Sequence, residues 1–128
     1  MKVEAVDPPR RFAVGAGAIP IHHSANVSLD ADEQVTFVAE SGSQYDVVRK
    51  SWGYYATPSL NARLPEHGLH PVLVRNTVTG RAFILLVERG AEISFDDYCA
   101  SESLEVIARL DTDGAITDLC RAIEAHRR

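Results

Sequence analysis

The sequence lacks the features that mark disulfide-stapled, membrane-spanning or strongly basic proteins. It has only two cysteines in 128 residues, and their positions, Cys99 and Cys120, are far from a CxxC spacing. We therefore expect two buried, reduced thiols. The longest apolar run, 82–87, is too short to cross a bilayer. The net charge of -5 argues against a general nucleic-acid binder, because such proteins need a surplus of Lys and Arg.

The length fits a single domain spanning residues 1–128. The hydrophobic content of 45% is ordinary for a globular chain. The opening MKVEAVDPPRR has no apolar stretch after Lys2, so we expect no secretory signal, no membrane partner and a cytoplasmic protein. Pro8 and Pro9 remove backbone donors and favour extended chain, which predicts a loose N-terminal arm over residues 1–11.

Alternation of polar and apolar residues predicts strands over much of the first half. The runs QVTFVAE and QYDVVRK flank the turn signal SGS at 41–43, which together predict a hairpin. HPVLVRN and RAFILLVE predict a second hairpin, with strands 71–76 and 81–88. Both of those strands are nearly continuous apolar runs, which is typical of strands at the centre of a sheet. LEVIARL alternates and is predicted to be a last strand.

Three helices are expected, near 58–64, 94–102 and 113–127. Thr57 fits the N-cap of the first helix and Pro58 its first turn, with Pro65 ending it. Ser94 followed by Asp97 is a variant of the capping box.

The last helix is predicted to begin at an Asp113 cap and to carry one apolar stripe. The stripe consists of Ile116, Leu119, Cys120 and Ile123. The elements together predict an α+β fold: a twisted, mainly antiparallel sheet or partial barrel with three helices, the last one C-terminal and amphipathic.

A ligand site is predicted where the aromatic stretch KSWGYY meets the first helix. Ring faces can stack on a ligand while fixed donors orient it. Free N–H groups at a helix start favour an anion, which Arg49 or Arg63 could grip in a fork. The candidate residues are Arg49, Trp52, Tyr54, Tyr55, Ser59, Asn61 and Arg63. The expected ligand is small and polar or anionic, such as a sugar derivative.

No metal or cofactor is predicted. Neighbouring residues of a strand point to opposite faces, so His22 and His23 cannot easily share an ion. His67 and His70 have no carboxylate or thiol beside them at a metal-ligand spacing. VGAGAIP lacks the third glycine of a dinucleotide-binding loop.

The segment EQVTFVAESGSQYDVVRKSWGYYATPSLNARL, followed by HPVLVRN and RAFILLVERG, resembles a small bacterial family of uncharacterised proteins. That family is loosely associated with genes for surface-polysaccharide and nucleotide-sugar enzymes. The resemblance spans most of residues 33–110, and WGYYATPSLN is its most distinctive part. It implies a carbohydrate-related accessory role and assigns no catalytic residue.

Three functions remain open. The first is a non-catalytic binding or accessory module built around the aromatic stretch. The second is an enzyme for a sugar derivative or similar metabolite, in which His22, His23 or His70 acts as acid and base; its partner would be Asp46 or Tyr54. The third is a subunit-interaction domain, in which the apolar strands or the unpaired edge of an N-terminal hairpin form a homodimer.

Overall fold

The computed structural model of the protein describes residues 1–55 and 58–127. Within these residues the chain forms three antiparallel sheets and three helices. The strands are β1 (Lys2–Val14), β2 (Ile19–Ser28), β3 (Gln34–Val38), β4 (Gln44–Lys50), β5 (Gly53–Tyr55), β6 (Leu69–Asn76), β7 (Ala82–Glu88) and β8 (Leu104–Arg109). The helices are α1 (Arg63–Glu66), α2 (Glu92–Glu102) and α3 (Asp113–Ala125). The α+β prediction is confirmed, and the sheets do not close into a barrel.

The sheets follow the chain order closely. One pairs β1 with β2, the second has the order β3-β4-β5, and the third has the order β7-β6-β8. Both predicted hairpins are present, and β8 is the predicted last strand. The expectation that both strands of the second hairpin are central is wrong for β7, because β8 returns to the free side of β6 and leaves β7 at the edge.

One cluster of buried hydrophobic side chains lies on one face of the third sheet, and Leu69 and Pro71 of β6 are buried on the other face. Val72 and Val74 of β6 are buried beside Val87 of β7. Phe95 of α2 and Leu104 of β8 pack against this cluster. Each fully buried side chain of this size contributes roughly 1.5–3 kcal/mol, so this face of β6 is where much of the hydrophobic stabilisation is concentrated.

The N-terminal segment is not a loose arm. Residues 1–11, predicted to be loose, form most of β1, which pairs with β2 from Lys2↔Ser28 to Val14↔Ile19. The register shifts between Ala5 and Arg10, and this irregularity accommodates Pro8 and Pro9, which cannot donate to a regular ladder. No residue of either strand is buried.

The tip of this hairpin is held by the end of α2. The backbone N–H of Gly17 donates to Oε2 of Glu102 at 2.9 Å, and Glu102 is itself buried. Gly15 has a φ of +75°, and a Cβ at this position would overlap the Glu102 carboxylate. Glycine is therefore required at position 15 both for backbone conformation and for the close approach of the acid.

Helix α1 begins later than predicted. The expected helix at 58–64 is replaced by a four-residue helix that starts at Arg63, and Thr57, the predicted cap, lies outside the described residues. The Oγ of Ser59 accepts from the Arg63 N–H at 2.8 Å. Pro65, predicted to end the helix, lies inside its first turn, where a missing N–H loses no intrahelical bond.

The starts of the other two helices also differ from the predicted caps. Helix α2 begins at Glu92 without a side-chain cap, so Ser94 and Asp97 do not form a capping box. Helix α3 is capped by Thr112 rather than Asp113, since the Thr112 Oγ1 accepts from the Ala115 N–H at 3.0 Å.

Helix α3 has no buried residue. Of its predicted apolar stripe, Ile116 and Leu119 are half-buried, whereas Cys120 and Ile123 are exposed. Both cysteines of the chain are free, and only Cys99 is buried as predicted. None of the helices in the described part of the chain has the length and apolar content that a membrane crossing requires.

The hairpin tip gives a first test. Gly15→Ala should lower the free energy of unfolding by about 2 kcal/mol more than Gly80→Ala, because only the first change displaces Glu102 from Gly17. Gly80 is a matched control, since it has the same φ of +75° and no atom within 4 Å of an added Cβ. Urea unfolding at one protein concentration measures both. Equal losses would show that the Glu102 contact does not stabilise the fold.

Candidate functional site

A cleft of about 220 Å³ lies between the second sheet and the segment that leads into α1. We call it the Asp46 cleft. Val48 of β4 pairs with Gln34 of β3 and with Tyr55 of β5, so these three form a row on one face of the sheet. Asp46 shares that face because it lies two positions from Val48. The cleft is lined by Gln34, Asp46, Val48, Tyr55, Pro58, Ser59 and Arg63.

Asp46 is the best-connected polar group of the cleft. Its Oδ1 accepts from the Thr36 hydroxyl at 2.7 Å. Its Oδ2 accepts from Nε and Nη2 of Arg63, at 3.3 and 3.2 Å. The Asp46 side chain is 13% exposed, whereas that of Arg63 is 55% exposed. The acid is thus enclosed by its donors while the guanidinium remains open to solvent.

These contacts lower the pKa of the Asp46 carboxyl from its ordinary value. The hydrogen bond from Thr36 is the largest cause, the guanidinium of Arg63 lowers the pKa further, and desolvation opposes both. Asp46 is therefore an ionised acceptor at neutral pH. Each carboxylate oxygen has two lone pairs, so the group retains capacity to accept from a ligand hydroxyl.

The structure brings together three of the seven predicted site residues. Tyr55, Ser59 and Arg63 line the Asp46 cleft. The hydroxyl of Ser59 caps the Arg63 N–H, so it also helps to position the guanidinium. The Tyr55 phenol and the Arg63 guanidinium thus share one cleft with the Ser59 hydroxyl, whereas the Trp52 indole, expected beside them, does not line it.

Three other predicted residues lie elsewhere in the same sheet. Arg49 pairs with Tyr54 across β4 and β5, one position from the Val48–Tyr55 row and so on the opposite face. The Arg49 guanidinium lies 5.3 Å from the centre of the Tyr54 ring, and its Nη1 donates to the Gly53 carbonyl at 2.8 Å. Trp52 occupies the turn between the strands and is 69% exposed. These side chains brace the hairpin turn rather than the cleft.

The seventh residue, Asn61, makes a structural contact. Its Nδ2 donates to Oδ1 of Asp113 at 2.8 Å. This bond ties the segment before α1 to the first residue of α3. Asn61 does not line the Asp46 cleft.

Sequence reasoning missed the role of Thr36 and Gln34, and it did not include Asp46 among the seven ligand-site residues. The structure pairs Thr36 with Asp46 across β3 and β4. A hydroxyl opposite a carboxylate is a favourable cross-strand pair. The turn signal at 41–43 did not locate this pair, because counting outward from it places Val38 opposite Asp46, and the observed connection between the paired residues Val38 and Gln44 is two residues longer.

The three histidines considered as acid and base, His22, His23 and His70, are not on the wall of the Asp46 cleft. His22 and His23 are on β2, where Nε2 of His23 is 3.1 Å from the Ala25 carbonyl oxygen. Nδ1 of His70 is 3.0 Å from Oδ2 of Asp111. None of the described residues lining the cleft is a histidine. Over 1–55 and 58–127, no group of three or more His, Cys, Asp or Glu side chains is placed to hold a metal.

A second, larger cleft of about 360 Å³ lies beside the turn between β3 and β4. His67 and Glu88 are on its wall together with Ser43. The Ser43 hydroxyl donates to Oε1 of Glu88 at 2.7 Å, and this bond is the main cause of a lowered Glu88 pKa. This polar surface was not predicted from the sequence.

The acid of the Asp46 cleft gives a pH test. Thr36→Val should raise the pKa of Asp46, because valine has no hydroxyl to donate. In the wild-type chain the folded-state pKa lies below the ordinary 3.8. The stability that the fold gains from ionised Asp46 is therefore fully present above the ordinary pKa of 3.8. It is lost as the pH falls through the lower, folded-state pKa. The variant should lose less stability than the wild type between about pH 4 and pH 2.

Carboxyl-carbon NMR titration measures the pKa of Asp46 in each chain, and urea unfolding at each pH measures the loss of stability. Thr117→Val is the control, because Thr117 is exposed on α3 and is not among the groups that shift the pKa of Asp46. An Asp46 pKa that is unchanged in Thr36→Val would contradict the assigned cause.

The comparisons with known proteins found no match to a protein-family model, a curated protein or a solved structure. The resemblance described from the sequence therefore stays a prediction. The chemistry of the Asp46 cleft has to be argued from its own residues.

Proposed function

We propose that the protein is a non-catalytic binding module that holds a small, hydroxyl-rich polar ligand, such as a sugar derivative, in the Asp46 cleft. The observation that carries this proposal is the convergence of an ionised acid, a guanidinium and a phenol ring on one cleft. A sugar ring needs these three kinds of group. Its hydroxyls both donate and accept, and its C–H face packs on an aromatic ring.

The contacts of Arg63 favour a neutral ligand over an anion. Two of its nitrogens already donate to Asp46, so the charge of the guanidinium is largely compensated. A phosphate or carboxylate at this point would also meet the ionised Asp46 at close range, and like charges repel. A hydroxyl meets no such penalty, because it can donate to the acid and accept from the guanidinium.

The resemblance to a family associated with polysaccharide genes also favours a sugar derivative. The catalytic alternative has less support, since none of its three candidate histidines is among the described residues on the wall of the cleft. His67 does line the neighbouring larger cleft, and that surface is where an acid–base residue would have to act.

The adjacent tyrosines of β5 provide a sharp test. Tyr55 lines the Asp46 cleft and Tyr54 faces the other side of the sheet; both are exposed. A thermal-shift screen with neutral monosaccharides and nucleotide sugars should find a compound that raises the melting temperature by about 10 °C at 100 times its Kd. Calorimetric titration with that compound should show affinity weakened about 10-fold in Tyr55→Ala and within twofold of wild type in Tyr54→Ala.

The acid should matter as much as the ring. Asp46→Asn keeps the shape of the side chain but makes it a weaker acceptor, so we expect affinity to fall about 10-fold or more. Asp97→Asn, on the exposed face of α2, is the matched control. If no compound in the screen binds, or if Tyr54→Ala and Tyr55→Ala weaken binding equally, the Asp46 cleft is not the site.

A further inference from the structure

We propose that the β1–β2 hairpin is an assembly arm whose apolar face is buried against a second copy of this chain. The first observation is the exposed area of the whole molecule, which is 9047 Å². A compact monomer of 14.0 kDa exposes about 6,700 Å². The chain therefore exposes about 2,300 Å² more than a self-contained domain of its mass.

The hairpin contributes to this additional surface. Its two strands run over Lys2–Val14 and Ile19–Ser28, and none of their residues is buried. In the described part of the chain the hairpin forms a sheet of its own, with no third strand. A two-stranded hairpin is only marginally stable in water unless another layer covers it. The length of this one indicates that such a layer exists.

The hairpin has one apolar face, which we call the arm face. Strand β2 alternates regularly, so its odd-numbered residues point to one side and its even-numbered residues to the other. The odd positions carry most of the apolar side chains, and their partners on β1 are apolar as well at Val27↔Val3, Ile21↔Phe12 and Ile19↔Val14. The large apolar residues of the arm face are Val3, Phe12, Val14, Ile19, Ile21 and Val27. The pair Arg10↔His23 lies between them on the same face, where the Arg10 guanidinium covers the Phe12 ring at 4.6 Å.

The opposite face of the hairpin is mostly polar. It carries His22, Ser24, Asn26 and Ser28 on β2, and Lys2 and Glu4 oppose the last two. This alternation is typical of a strand that is buried on one face and exposed to solvent on the other. Yet five of the six large apolar residues of the arm face, all but Ile19, are 37–59% exposed.

The arm face continues onto the third sheet. Val14 at the tip lines the same cavity as Phe83 of β7 and Tyr98 of α2, and that cavity has a volume of about 260 Å³. Phe83 and Tyr98 are themselves exposed. The arm face and the outer part of this sheet thus form one extended apolar surface rather than scattered side chains, and free monomers rarely expose apolar patches of that extent.

The size of the surface identifies a second copy as the occupant. If two chains each buried the additional area, the interface would total about 4,600 Å², within the range of obligate homodimers. Obligate interfaces of that size are also the more apolar ones, as this surface is. An obligate partner must be present whenever the chain folds, and a second copy always is. One surface can cover its own copy across a two-fold axis.

Sedimentation of the full chain tests the proposal. At micromolar concentration the wild type should sediment as a dimer, with twice the 14.0 kDa of one chain. Ile21→Lys and Val27→Lys should weaken dimerisation about 100-fold or more, because each places a charge in an apolar interface. Asn26→Lys is the control, since Asn26 is adjacent to Val27 but faces the polar side opposite Glu4, and it should remain dimeric.

Intermolecular NOEs test the same interface in the wild-type chain, which does not depend on the folding of the lysine variants. In a wild-type sample mixed from labelled and unlabelled chains, the methyl groups of Val3, Ile21 and Val27 should show contacts between copies. A folded wild-type monomer at micromolar concentration would overturn the proposal. So would a dimer that survives both lysine substitutions, or one whose arm-face methyls show no intermolecular contact.

Discussion

The burial of Leu64 is the contact on which the arrangement of the Asp46 cleft depends. Leu64 is fully buried in a helix of only four residues. A helix this short has no stability of its own, because nucleation is costly and few hydrogen bonds follow. Burial of its one large apolar side chain therefore holds the helix in place. Arg63 directly precedes Leu64. The burial of Leu64 therefore also brings the Arg63 guanidinium to Asp46, which lies on β4 of the second sheet.

Local patterns in the sequence were sufficient for most of the elements. Continuous apolar runs and turn residues predicted the β6–β7 hairpin, and alternation predicted β8. The last helix was located to within two residues because its periodic stripe is unambiguous. These signals come from residues that are close together in the sequence, so they can be read without knowing the tertiary structure.

The failures outside the helix caps share a cause, since they depend on contacts between residues that are distant in the sequence. The apolar run of β7 has the same composition in an edge strand as in a central one, and only the return of β8 to β6 decides between them. Pro65 ends a helix or sits in its first turn depending on where Leu64 is buried. Prolines at the bulge of β1 look like a loose segment until pairing with β2 is known.

The pairing of strands also places the predicted site residues on two opposite faces of the second sheet. Tyr54 and Tyr55 are equivalent by composition, yet the alternation of a strand sends one toward the Asp46 cleft and the other toward Arg49. Composition could locate the stretch but could not choose between its two faces. The missing information was the register of β4 with β5, which a three-residue strand specifies only weakly on its own.

The cleft and the arm face occupy different sheets and share no residue. The two proposals can therefore be tested by substitutions at different residues. Assembly also accounts for the small core, since few large side chains of the described residues are fully buried. A chain that completes its apolar burial against a second copy needs less of it within itself. Folding and association are then one process, and stability depends on protein concentration.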